Sequence, residues 1–159
     1  MKKLINNKKG FTLIELLAVI VILAILVMVS IPAVMRYLDT ARKGTFSDAA
    51  ATAVSAVRND VIVNGRQGTI IYKLKEKQTI DGKEIPAIND LLEVKLESSP
   101  YTTSYKATSF IKAAVNNDQT KYYICLTDGT RGIKQESSTI DKDNVTTTVT
   151  ECSSASDFS

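Results

Sequence analysis

The hydrophobic pattern divides the chain into an apolar first part and a mixed remainder. Residues 11–32 read FTLIELLAVIVILAILVMVSIP, and the only ionisable side chain between Lys9 and Arg36 is Glu15. An apolar run of this length is sufficient to cross a bilayer as a helix. The sequence therefore predicts a transmembrane helix over residues 11–35, with one carboxylate close to its start.

A second helical pattern follows directly in residues 36–64. Apolar side chains recur there at steps of three and four, which indicates an amphipathic helix. They are Phe46, Ala49, Ala50, Ala53, Val54, Val57 and Val61. We therefore expect one long helix that ends at Asn64-Gly65 and whose alanine-rich stripe packs closely on a sheet. Pro32 interrupts the pattern, and it either ends the transmembrane helix or kinks a continuous one.

Residues 65–159 are predicted to form the globular part of the protein. Thr69–Lys75 is a short candidate strand within a connecting region, and Asp81-Gly82 is a turn signal. Residues 87–97 fit a helix with Asn89 as its N-cap, although their alternation also fits a strand. We favour the helix.

Alternating β-forming residues dominate the last third of the chain. Candidate strands are Ser104–Val115, Thr120–Thr127, Thr130–Gln135 and an edge-like Val145–Thr150. Residues 116–118 and Asp128-Gly129 supply the intervening turns. The predicted fold class is therefore α+β, with a long N-terminal helix packed on a C-terminal antiparallel meander.

Charge is distributed unevenly along the chain. The net charge is +3, from 20 basic and 17 acidic side chains. Lys2, Lys3, Lys8 and Lys9 precede the apolar run without any acid, so the remainder is nearly neutral. This asymmetry predicts that the first ten residues stay cytoplasmic and that the rest is translocated. A nearly neutral globular part gives no electrostatic basis for a nucleic acid as main partner.

Few residues in the sequence indicate catalysis or metal binding. The chain has no histidine, no CxxC pair and no phosphate-binding glycine loop, so we predict no enzyme activity, no metal and no cofactor. Cys125 and Cys152 would be translocated into an oxidising compartment. A disulfide between these two cysteines would stabilise the fold by roughly 3–4 kcal/mol, because it closes a loop in the unfolded chain. The alternative is two free thiols.

The junction before the apolar run carries the most specific signal. Lys8-Lys9-Gly10-Phe11-Thr12-Leu13-Ile14-Glu15 closely resembles the prepilin processing site of type IV pilins, in which a short basic leader ends in Gly, Phe follows, and Glu is the fifth residue of the mature chain. The resemblance implies that a membrane-embedded peptidase removes residues 1–10 and methylates Phe11. It covers residues 1–63 well, and beyond them it is architectural.

The resemblance also implies roles for individual residues. Glu15 lies one helical turn from the amine that cleavage would create at Phe11, so it could neutralise the amine of its own chain or that of a neighbouring subunit. The resemblance favours the neighbour, whose register this pair would set, and a carboxylate that only reaches the lipid headgroups is the alternative. Insertion of a charged carboxylate near the bilayer centre costs about 2.5–3.5 kcal/mol, so a carboxylate within a membrane-spanning segment usually marks function. Pro32 would kink the helix or let it melt during packing. A Cys125–Cys152 disulfide would tie the C-terminal region to the sheet.

The expected function is that of a structural pilus subunit. It would enter the cytoplasmic membrane as a single-pass prepilin and then polymerise into a helical surface filament for adhesion, motility or biofilm formation. Its partners would be further copies, the prepilin peptidase and methyltransferase, the assembly platform with its ATPase, and minor pilins. One alternative is a pseudopilin of a type II secretion or DNA-uptake system. The other is an uncleaved, single-span anchored binding domain.

Overall fold

The computed structural model describes residues 10–116, 119–138 and 140–153 of the chain. Two compact units are present, of which the first ends at Asp39 and the second begins at Thr40. The second unit contains a long helix packed on an antiparallel four-stranded sheet, so the predicted α+β class is confirmed.

Helix α1 extends over Leu13–Val63 without a break. Pro32 lies inside it, so the alternative that this proline ends the helix is wrong. The predicted stop at Asn64-Gly65 is confirmed: Gly65 has a φ of +54°, a conformation that suits glycine, and the Arg66 N–H donates to the Val61 carbonyl at 3.0 Å.

Within the ranges that the structure describes, six strands form two sheets. The main sheet contains β1 (Gly68–Lys73), β4 (Phe110–Val115), β5 (Thr120–Thr127) and β6 (Gly132–Glu136). Their order is β1-β4-β5-β6, and every neighbouring pair is antiparallel. The remaining strands β2 (Gln78–Ile80) and β3 (Lys83–Ile85) form a hairpin around Asp81-Gly82. Both residues of that turn have positive φ, as a two-residue hairpin turn requires.

The apolar stripe of α1 covers one face of the main sheet. Phe46, Ala50, Ala53, Val54, Val57 and Val61 are buried, and Ala49 is partly buried against the same cluster. Alternate residues of the strands complete this core, including Tyr72, Ile111, Tyr122, Ile124 and Ile133. The predicted packing of the alanine-rich stripe on a sheet is therefore confirmed.

The predicted fourth strand, Val145–Thr150, is wrong. The fourth strand of the main sheet is instead β1, which pairs with β4 at the opposite edge from β6. Thr146 makes a single bridge to Gly132, and then the chain leaves β6. The reason is the packing of Val149 beside Phe110 and Cys125, which draws this segment across the outer face of the sheet.

The remaining boundaries differ locally from the predictions. The predicted strand Ser104–Val115 begins only at Phe110, because the Ser109 side chain bonds to the facing backbone of Thr127: its hydroxyl donates to the Thr127 carbonyl and accepts from the Thr127 N–H. Helix α2 covers only Ile88–Leu91, and its N-cap is Ala87 rather than Asn89. The Asn89 side chain instead accepts from the Leu96 N–H at 3.1 Å.

The loop at Asp128-Gly129 lies where the turn was predicted, but it is longer. Asp128 accepts hydrogen bonds from the N–H groups of Thr130 and Arg131, so β6 begins only at Gly132 instead of Thr130. The other predicted turn, at residues 116–118, lies largely outside the described residues.

Candidate functional site

The first turn of α1 carries the only carboxylate of the apolar run. The Thr12 N–H donates to Glu15 Oε2 at 2.8 Å, and the Glu15 N–H donates to Thr12 Oγ1 at 3.3 Å. The Leu16 N–H donates to the Thr12 carbonyl at 3.2 Å, which is the first bond of the helix. These reciprocal bonds form a capping box with Thr12 as the N-cap. The Thr-x-x-Glu spacing is the sequence signal of such a box, and it is absent from the predictions above.

The predicted processing position lies just before this cap. Gly10 and Phe11 precede the helix in non-helical backbone, and 91% of the Phe11 side chain is exposed. The Gly10–Phe11 peptide bond therefore lies outside the hydrogen-bonded helix, next to the turn that holds Glu15. The rest of the predicted leader, residues 1–9, lies outside the described residues.

Beyond the cap, α1 presents an apolar surface on all sides. Its large apolar side chains in the first unit are exposed to between 41% at Leu38 and 85% at Leu13. The segment is long and apolar enough to cross a membrane. Exposed apolar surface of this extent marks a site of membrane or protein contact. Ser30, one of its few polar side chains, satisfies itself by donating to the Leu26 carbonyl at 2.7 Å.

Pro32 lies within this exposed apolar part of α1. A shallow apolar groove adjoins it, lined by Leu23, Leu26, Val27, Ser30, Ile31, Val34 and Met35. Proline cannot donate the hydrogen bond that a helical residue normally makes to the carbonyl four residues earlier. This turn of the helix is therefore held by one bond fewer than its neighbours.

The two cysteines form a disulfide in the second unit. Cys125 lies on the outer face of β5, and its bond to Cys152 joins positions 27 residues apart in sequence. Both are buried beside Phe110 and Val149. The bridge therefore ties the C-terminal segment to the sheet, as the resemblance to pilins implied.

A buried polar cluster at the end of α1 had no recognised sequence signal. The Asp60 carboxylate accepts from Arg66 Nε at 2.5 Å, from the Tyr72 hydroxyl at 2.8 Å and from the Asn64 amide at 2.7 Å. Burial and the neighbouring Asp60 raise the pKa of Tyr72. Arg66 also donates to the Glu84 carbonyl. These bonds fasten the helix end to β1 and to the β2–β3 hairpin, which is a structural role.

A second buried carboxylate, that of Asp128, stabilises the loop between β5 and β6. Asp128 accepts from the Ser99 hydroxyl, from the Thr130 hydroxyl and from two backbone N–H groups. Burial acts to raise the pKa of Asp128, but these hydrogen bonds outweigh burial and lower it. Within the described ranges, no group of three or more potential metal-binding side chains occurs.

Comparison with known families identifies the N-terminal part. Residues 5–31 match the family model described as the prokaryotic N-terminal methylation motif. No curated protein and no solved structure matches the chain. The chain thus carries a prepilin-type motif, which indicates processing by a prepilin peptidase, insertion of the apolar helix in a membrane and a structural rather than a catalytic role.

Proposed function

We propose that the protein is a structural subunit of a type IV pilus. It is inserted in the cytoplasmic membrane as a prepilin, cleaved after Gly10, methylated at Phe11 and assembled into an extracellular filament. That filament would serve adhesion, motility or biofilm formation. The observation that carries the proposal is the methylation motif at the start of an apolar helix whose side chains are exposed, on a chain whose second unit buries its own core.

The exposed apolar helix supplies the assembly mechanism. Surface of this kind is strongly unfavourable in water. Lipid covers it before assembly, and the helices of other copies cover it in the filament. Polymerisation therefore transfers the helix from one apolar environment to another, while the second unit stays in water throughout.

Removal of the leader is a physical requirement of this mechanism. Lys2, Lys3, Lys8 and Lys9 would otherwise enter the packed helical core, where unpaired charges are costly to bury. Cleavage after Gly10 replaces them with one amine at Phe11. The Glu15 carboxylate of an adjacent copy neutralises that amine and sets the register of the incoming subunit.

Pro32 contributes to the same step. The missing backbone hydrogen bond makes its turn the easiest place for the apolar part of α1 to bend or melt. Helices packed side by side can then adjust locally, without changes near Glu15. The other partners in this account are the assembly platform with its ATPase and the minor pilins.

Isolation of surface filaments tests the proposal. Filaments sheared from cells that produce the native chain should contain it and should be visible by electron microscopy. Glu15→Gln should reduce their amount roughly thirtyfold or more, because loss of one partner of a buried charge pair costs about 2–5 kcal/mol. Asp48→Asn is the matched control, since Asp48 is an exposed carboxylate on the same helix, and it should leave the amount unchanged.

Other results of this experiment would identify the alternatives. A processed chain that forms only short structures within the envelope would indicate a pseudopilin. An unprocessed chain in the membrane fraction, indifferent to Glu15→Gln, would indicate an anchored binding domain and would overturn the proposal.

A further inference from the structure

The capping box gives Glu15 a partner within its own chain. The Thr12 N–H binds Oε2 of Glu15, and the Thr12 hydroxyl in return accepts the Glu15 N–H. The first bond holds the Glu15 side chain against the first turn of α1, and the second bond holds the Glu15 backbone beside the Thr12 side chain. The positive end of the helix dipole favours the negative charge at the same place.

A carboxylate held in this way still has capacity for a second donor. Its two oxygens offer about four acceptor positions. Among the residues that the structure describes, Thr12 is the hydrogen-bond partner of this carboxylate, and it uses Oε2. Oε1 can therefore accept an incoming amine while Thr12 keeps its bond.

We propose that Thr12 is a positioning residue for subunit assembly: through the capping box it orients the Glu15 carboxylate before a neighbouring copy arrives, and the amine of that copy then binds the oriented carboxylate. The proposal rests on the proposed function, because it requires cleavage at Gly10 and a filament. It adds an internal partner that Glu15 keeps before and after assembly.

The physical advantage is preorganisation. A flexible glutamate that has to find one rotamer when it binds loses side-chain entropy at that moment, which weakens the contact. In this chain the rotamer is fixed in each subunit beforehand. Without the Thr12 hydroxyl, the Glu15 N–H loses its partner in the first turn and the box is reduced to one bond.

Three variants test the role of the hydroxyl. Thr12→Val keeps the shape of the side chain and removes Oγ1, Thr12→Ser keeps the hydroxyl, and Thr52→Val makes the same chemical change at an exposed position of α1. The processed fraction is measured by intact mass, and filament yield is expressed per processed subunit. We expect Thr12→Val to lower that yield roughly fivefold, the size of a typical cap loss. Thr12→Ser and Thr52→Val should match the unmodified chain.

A double variant separates positioning from a general loss of helix stability. If Thr12 acts through Glu15, Thr12→Val should cause no further loss of yield in a Glu15→Gln background. An equal further loss would show that the hydroxyl acts independently of Glu15, and this would overturn the proposal. Equal yields for Thr12→Val and Thr52→Val would overturn it as well.

Amide hydrogen exchange of the unprocessed full chain in detergent micelles provides a readout that does not depend on processing. The Glu15 amide should exchange roughly fivefold faster in Thr12→Val than in Thr12→Ser. Unchanged exchange would overturn the inference even if filaments form. Failure of the native chain to be cleaved or to form filaments would instead overturn the proposed function, and the exchange result would still report on the cap.

Discussion

The apolar side chains of the two halves of α1 differ in what covers them. From Leu13 to Leu38 the helix carries large aliphatic side chains that the chain itself leaves exposed. From Phe46 to Val61 it carries a stripe of mostly Ala and Val, which is buried against the sheet. The first half needs lipid or other copies to cover it, whereas the second half is covered by its own chain.

This comparison connects sequence to function. Small side chains on one face let a helix approach a sheet and complete a core within one subunit. Large apolar side chains on all faces of a helix cannot all be buried by one sheet, so they need an apolar environment that surrounds the helix. Substitutions in the first half should therefore affect insertion and assembly, and substitutions in the second half should affect the stability of the subunit.

The largest effect is expected for Phe46→Ala. Phe46 is fully buried and packs edge-on against Tyr105, with ring centroids 5.2 Å apart. Its loss should lower the free energy of unfolding of the second unit by about 3–5 kcal/mol. Urea unfolding of the full chain in detergent, followed by tyrosine near-UV circular dichroism, measures this quantity. Leu23→Ala is the control, and equal losses for the two variants would contradict the comparison.

The next largest effect is expected from loss of the disulfide. Replacing Cys125 and Cys152 together by serine should lower the free energy of unfolding of the second unit by roughly 3–4 kcal/mol, because the reduced unfolded chain regains loop entropy. The same urea titration measures it. An unfolding midpoint that does not move on substitution or on reduction would show that the bridge contributes nothing to stability.

A charge in the first half of α1 should affect membrane insertion instead of the stability of the second unit. Leu23→Lys should raise the cost of membrane insertion by about 2.5–3.5 kcal/mol, yet leave the free energy of unfolding of the second unit unchanged. Membrane fractionation and the urea titration measure the two quantities. Ala51→Lys, at an exposed position of the second half, should change neither quantity appreciably. The comparison fails if Leu23→Lys destabilises the second unit.

The smallest effect concerns acid sensitivity of the second unit. Because the pKa of Asp128 is lowered in the folded protein from its ordinary value of 3.8, its contribution is present above that value and is lost as the pH falls below it. Asp128→Asn should cost about 1 kcal/mol at neutral pH and should reduce the further loss of stability on acidification. Urea titrations at neutral and acidic pH test this. A variant with unchanged acid sensitivity would exclude Asp128 as a contributor.

The sequence predicted those features that depend on local periodicity. The length of α1, its buried stripe, the bounds Thr120–Thr127 of β5 and the turn at Asp81-Gly82 all follow from spacing and residue type. The expected disulfide depended on a family resemblance rather than on spacing. Each of these features is confirmed by the structure.

Most features that the sequence did not predict depend on contacts distant in sequence. Tyr72 bonds Asp60 from 12 positions away, and β1 pairs with a strand some 40 residues later. Val145–Thr150 has the composition of a strand, but the tether at Cys152 redirects it across the sheet. The Thr12–Glu15 cap is local, and the Thr-x-x-Glu spacing is a sequence signal for it.

The central claim is that the chain is processed between Gly10 and Phe11. Intact mass and N-terminal sequencing of the protein from its native source test it most directly. The account predicts a chain that begins at Phe11 with a methylated amine. A chain that retains residues 1–10 would contradict it, and the exposed apolar helix would then be a simple membrane anchor.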